Sequence, residues 1–164
     1  MILAVDVDYR ENQEAHVAGV LFGSWQDSHP KEVITTTLKN VAEYQSGAFY
    51  KRELPCILAL LEKVEVELDC IVVDGYVFLG EQKKGLGAYL YEALDRKIPI
   101  IGVAKSPFRG IAKESFIYRG ESKKPLYISS VGIELDRAKE AIASMDGKFR
   151  IPRLLKEVDR LCRA

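Results

Sequence analysis

Two aspartates stand where short apolar runs end. Asp74 follows Cys70, Ile71, Val72 and Val73, an unbroken run rich in β-branched residues, and Gly75 then frees the backbone to turn. Such a run reads as a strand buried on both faces of a sheet. Asp6 closes a similar run that begins at Met1. A carboxylate at the carboxyl end of such a strand sits where open α/β sheets hold their ligands. Taken singly, each aspartate reads equally well as a residue that caps or turns the chain. Side by side, the two strands bring the carboxylates together, and like charges at close range call for a hard cation, Mg²⁺ or Mn²⁺, between them. Lys105 ends a third apolar run, Ile98 to Ala104, and is expected to leave the sheet at the same edge as Asp74.

The elements that must position these groups follow from periodicity. His16 to Phe22 and Glu32 to Leu38 read as second and third strands, so the chain opens with a three-stranded antiparallel meander. From Glu43 to Glu65 the period becomes helical, with Leu54, Ile57, Leu58, Leu61 and Val64 forming the stripe. Pro55 lies near the start of that stripe, which puts Glu53 at the helix entrance as an acid suited to the first turn. A helix over 85–96 links the Asp74 strand to the Lys105 strand as a right-handed parallel crossover. The basic, glycine-punctuated stretch 109–124 reads as a hairpin or loop, 125–131 as a last strand, and 134–145 and 152–163 as helices. The expected fold class is α/β, a mixed central sheet of three antiparallel strands followed by parallel strands, flanked by helices.

At 164 residues, with 48% apolar and 29% charged residues, the chain suits one globular domain over 1–164. A formal net charge of zero gives no bulk attraction to nucleic acid and excludes none, because local patches bind phosphate. Cys56, Cys70 and Cys162 show no paired spacing and read as reduced thiols of a cytoplasmic protein. No stretch approaches the length of a membrane span. His16 and His29 lie away from the acids and read as solvated strand and turn residues.

Five blocks of residues resemble one family. Asp6-Val-Asp-Tyr9 is similar to a D-V-x-Y opening, and Tyr44, Gly47 and Lys51-Arg-Glu53 to a Y-x-x-G…F-R-E block. Ile71-Val-Val-Asp-Gly75 matches V-D-G, Ile101-Gly-Val-Ala-Lys-Ser106 matches G-V-A-K-S, and Phe149-Arg-Ile-Pro-Arg153 is similar to Y-R-L-P. In this order, over nearly the whole chain, they resemble endonuclease V, the deoxyinosine-directed nucleases of the ribonuclease H-like fold. The resemblance implies a Mg²⁺-dependent endonuclease hydrolysing phosphodiester bonds in DNA or RNA, with monomeric architecture favoured. It makes Asp6 and Asp74 metal-binding carboxylates, Glu53 a third acid and Lys105 a phosphate or transition-state contact. It also makes Tyr44 the wedge aromatic that stacks on opened bases. Gly75, Lys83, Lys84 and Arg109 are expected at the nucleic-acid surface.

Departures from the family pattern fall on substrate recognition. The histidine, proline and first arginine that follow V-D-G are absent from the run Tyr76 to Lys83, and the P-Y-I-P wedge has become Glu43-Tyr-Gln-Ser46. Inosine preference therefore does not follow from the resemblance. The late histidine or aspartate is absent from Ser130 to Glu134, where Glu134, or else Asp136, is expected as the late metal ligand; the alternative for Glu134 is an acid at a helix N-terminus. The alternative function is a catalytically impaired relative that binds nucleic acid or a protein partner.

Overall fold

Period-two alternation divides the first strand between two cores. In the computed structural model, which describes residues 1–41 and 49–164, β1 (Ile2–Arg10) sends Leu3 and Val5 into one buried cluster and Ile2 and Ala4 into another. The first cluster lies under α1 (Phe49–Leu61) and α2 (Leu86–Ala93), with Ile57, Leu60, Leu86 and Leu90 pointing in. The second lies under α3 (Leu135–Ser144) and α4 (Arg153–Arg163), which contribute Ala138, Ile142, Leu154, Val158 and Cys162. Helices thus cover both faces of a seven-stranded sheet.

Three antiparallel strands open the sheet, as the alternation predicts: β2 (Glu14–Phe22) pairs with β1, and β3 (Glu32–Leu38) pairs with β2. Beside β1 lie β4 (Cys70–Asp74) and then β5 (Ile100–Ala104), both parallel to it. The far side is closed by β7 (Leu126–Val131), antiparallel to β5, and by the two-residue edge strand β6 (Phe116–Ile117), which falls within the stretch read as a hairpin or loop. The order across the sheet is β3-β2-β1-β4-β5-β7-β6.

Several boundaries differ from the sequence reading for local reasons. The second helix stops at Ala93 rather than Arg96 because Asp95 and Arg96 both take left-handed backbone at φ 57°. The first helix ends at Leu61, and Pro55 lies in its interior rather than near its start. Glu53 accordingly lies beyond the first turn and is buried, at 4% exposure. All three cysteines are free and buried. Among the described residues no helix is long and apolar enough to cross a membrane.

Candidate functional site

The register of β1 on β4 pairs Ile2 with Cys70 and Val5 with Val73. One more step along both strands sets Asp6 level with Asp74; β4 ends there, whereas β1 continues to Arg10 with Asp6 paired to Ala18 of β2. The same alternation that buries Ala4 and Val72 on the α3/α4 side directs both carboxylates to that side. Asp74 pairs with Val103 on β5, so Lys105 leaves β5 at the same edge, and Asp6, Asp74 and Lys105 line one small pocket with Ile151, Leu155 and Val158.

Two glycines allow the chain to turn tightly here. Gly75 takes φ 130°, a left-handed conformation that side chains resist. Gly102, in the middle of β5, lies directly beneath that turn; a Cβ on it would come within 2.5 Å of the Gly75 carbonyl oxygen and 2.7 Å of Ser129 Oγ. Ser129 Oγ in turn accepts a hydrogen bond of 2.9 Å from the Val77 amide. The glycines of V-D-G and G-V-A-K-S are thus two sides of one contact.

Glu53 reaches the same edge from α1. Its Oε2 accepts a 2.9 Å hydrogen bond from the Tyr9 hydroxyl, and the Arg52 guanidinium lies over the Tyr9 ring at 3.4 Å. Arg52 Nε is buried with no hydrogen-bond partner among the described residues. Asp8, the other acid of the opening block, instead accepts from Arg10 Nε at 2.6 Å, and Arg10 also donates to the Cys162 and Ala164 carbonyls. That contact ties β1 to the end of the last helix.

Sequence reasoning missed Asp159. It projects from α4 toward Asp6, and carboxylate oxygens of Asp6 and Asp159 and the Cys162 thiol sulfur lie within 4.8 Å of one another. The available signal was the amphipathic stripe of residues 153–163, which turns Val158 and Cys162 inward and sets Asp159 beside them.

Glu134, expected as the late ligand, is corrected by topology. Because β7 runs antiparallel to β5, its final residue Val131 pairs with Ile100, at the opposite end of β5 from Lys105. The exposed Glu134 follows that end and caps the start of α3, across the sheet from the carboxylates. Asp136, in the first turn of α3, shares that location.

Crowding of the acids raises their proton affinity. Burial, then the charges of Asp74 and Asp159, push Asp6 up to about 7. Burial also pushes Glu53 up to about 8, opposed by the Tyr9 hydrogen bond and reinforced by Asp6 and Asp74. Asp74 keeps solvent contact at the strand end, yet desolvation still raises it while the Lys105 charge holds it back. Desolvation acts upward on Asp159 too, but the hydrogen bond from Arg163, the nearby Asp6 carboxyl and the Lys105 charge outweigh it and leave it below the ordinary range. Cys162 is pushed up to about 12 by burial and the surrounding acids, which keeps it a thiol.

Other expected residues scatter along the same edge. Lys83 and Arg109 are exposed in the loops that follow β4 and β5. Lys84 is engaged, donating to Glu92 Oε1 at 2.5 Å. Tyr44, the expected wedge aromatic, lies outside the described residues.

A mixed sheet whose adjacent parallel strands deliver carboxylates to one edge, with a helix on the far side adding another, defines the nuclease class of the ribonuclease H-like fold. The endonuclease V family model matches residues 1–121, and the chain belongs to the endonuclease V family. It is 28% identical to endonuclease V of Streptomyces avermitilis over 186 residues, covering 99% of this chain and 79% of that protein. It is likewise 28% identical to endonuclease V of Rippkaea orientalis over 181 residues, covering 98% and 78%. The crystal structure of the Streptomyces avermitilis enzyme superposes with a TM-score of 0.80 at 27% identity, over 99% of this chain and 79% of that one. Ciona intestinalis endonuclease V, crystallised with a 24mer DNA containing an inosine followed by a ribo-adenosine, shares the fold with a TM-score of 0.84 at 20% identity, over 99% and 84%. Family membership makes this chain a nuclease, a hydrolase acting on nucleic acid.

Proposed function

We propose that this protein is a divalent-cation-dependent endonuclease that cuts a phosphodiester bond in DNA or RNA by attack of water, residues 1–164 acting as one domain. The observation that carries the reading is the register that sets Asp6 level with Asp74, with Asp159 facing them from α4.

The residues fit a hard cation. Three carboxylates converge, and Asp6 and Asp74 hold protons more tightly than isolated acids do, first through burial and then through neighbouring carboxylates. Oxygen donors of this kind suit Mg²⁺ or Mn²⁺. Asp6, Asp74 and Asp159 are assigned to hold the ion. When bound, it supplies charge against the scissile phosphate and acidifies water at neutral pH. Lys105 places its ammonium beside the same carboxylates, where it neutralises charge that grows on the phosphate oxygens. Glu53, held by the Tyr9 hydroxyl and pushed up to about 8, holds a proton near neutral pH and is suited to exchange it with water at the site.

The substrate class is a nucleic-acid strand. Inosine selectivity is left out of the proposal, because the run Tyr76 to Lys83 carries none of the histidine, proline and arginine of the family pattern. The alternative of an impaired binding module rested partly on the missing late acid, and Asp159 removes that support.

The test is cleavage of labelled single- and double-stranded DNA and RNA, with and without inosine, in Mg²⁺, in Mn²⁺ and in a chelator. Cation-dependent cutting is expected. A folded protein that cuts none of these substrates in either metal would return the function to the binding module.

A further inference from the structure

The loop between α3 and α4 holds an aromatic ring in solvent on an unusually well-anchored backbone. Phe149 is 67% exposed, the most exposed of the large apolar side chains among the described residues. Its backbone is gripped by Arg119, itself only 6% exposed, whose guanidinium donates to the carbonyl oxygens of Phe149 at 2.6 Å, Met145 at 2.5 Å, Gly147 at 3.2 Å and Arg150 at 3.3 Å. Arg150 adds a second anchor, donating to the Lys105 carbonyl at 2.5 Å and to Pro125 at 2.7 Å. A buried arginine spent on four carbonyls of one loop fixes the place of a ring that the loop does not bury.

The ring's surroundings are cationic. Lys156 Nζ stands 5.1 Å from the ring centroid. Phe149 and Lys156 line an open cleft with Lys148, Arg153, Glu157 and Arg160. Arg153 is paired with Asp146 and Arg160 with Glu157, each at 2.6 Å, whereas Lys148 and Lys156 form no ion pair among the described residues. Ile151 lines both this cleft and the pocket of Asp6, Asp74 and Lys105, so the two adjoin at that side chain.

We infer that Phe149 is a base-stacking platform for the single-stranded segment of substrate flanking the scissile phosphate, with Lys148 and Lys156 holding the backbone of that segment. An aromatic face beside lysines is the combination that binds single strands without reading their sequence, since every base has a π-face and every linkage a charge. The inference rests on the nuclease reading above and deepens it by assigning a substrate subsite outside the acid cluster. It also supplies an aromatic contact in a chain whose wedge segment departs from the family pattern.

The test compares binding of a fluorescein-labelled single-stranded oligonucleotide to the parent, Phe149→Ala and Phe149→Trp, all with Asp74→Asn to prevent cutting, and cleavage by the same three proteins with Asp74 intact. Phe149→Ala is expected to bind roughly tenfold more weakly. In cleavage it should raise KM by a similar factor, with kcat and the melting temperature unchanged. Phe149→Trp should restore affinity, and its indole emission should be quenched on binding. Parental affinity and KM in Phe149→Ala, with the parent cutting normally, would overturn the platform alone. A parent that neither binds nor cuts any strand would overturn both the platform and the nuclease reading.

Discussion

Carboxylate oxygens of Asp159 in the last helix and Asp6 in the first strand lie within 4.8 Å of each other. The contact closes the acid cluster from the α4 side, so the cluster is built from β1, β4 and the last helix together.

Asp159→Asn should lower affinity for Mn²⁺ and reduce Mg²⁺-dependent cleavage by roughly 10- to 100-fold, the range seen when the partners of metal ligands are lost, and more if its oxygen binds the ion directly. The melting temperature of the metal-free protein should hold or fall slightly, since the ionised Asp159 loses its pairing with Arg163. Glu134→Gln, across the sheet, should leave both quantities as they are. Calorimetric Mn²⁺ titration with melting curves for the two variants separates the assignments; a larger loss in Glu134→Gln would reverse them.

The acids also make metal-free stability depend on pH. A carboxyl whose folded value is raised binds more protons in the native state than in the unfolded chain, so stability falls as pH rises between the two values. For Asp6 this window runs from its ordinary 3.8 to about 7, and for Glu53 from 4.5 to about 8. The chelator-treated protein should therefore melt at progressively lower temperature from pH 5 to pH 8. Saturating Mg²⁺ should flatten the slope, as should Asp6→Asn combined with Glu53→Gln. A metal-free melting temperature that climbs across this range would contradict the assigned directions.

Gly102→Ala should harm cleavage more than its size suggests. The new methyl meets the Gly75 carbonyl and Ser129, so the turn that follows Asp74 must move. A stability loss of about 2 kcal/mol is expected from urea unfolding, as for a small overpacked site, together with reduced cleavage by the folded fraction. Parental activity would mean that the position of the turn does not set that of Asp74.

Much of this was legible in the chain because strand periodicity is local. The runs ending at Asp6 and Asp74 announced buried strands, and the parallel pairing beside an antiparallel meander followed from element order. The place of Lys105, just past the end of the next parallel strand, followed by the same route. What sequence could not supply was direction and depth. Whether β7 ran with or against β5 decided where Glu134 would lie, and nothing in the residues 125–131 fixes that choice. From the residues alone Glu53 looked like a first-turn acid, because helix register does not reveal that Tyr9, on β1, donates to it. Asp159 went unseen because one acid among many on a charged helix gains meaning only when the helix is docked against β1.

The most direct test of the acid cluster is Mg²⁺-dependent cleavage of a labelled oligonucleotide by the parent and by Asp74→Asn, run beside melting curves of the same two metal-free proteins. Asp74 stands in register with Asp6, so its neutralisation should abolish cleavage while leaving the melting temperature at or above that of the parent. Undiminished cleavage by Asp74→Asn, or a variant that fails to fold, would contradict the account.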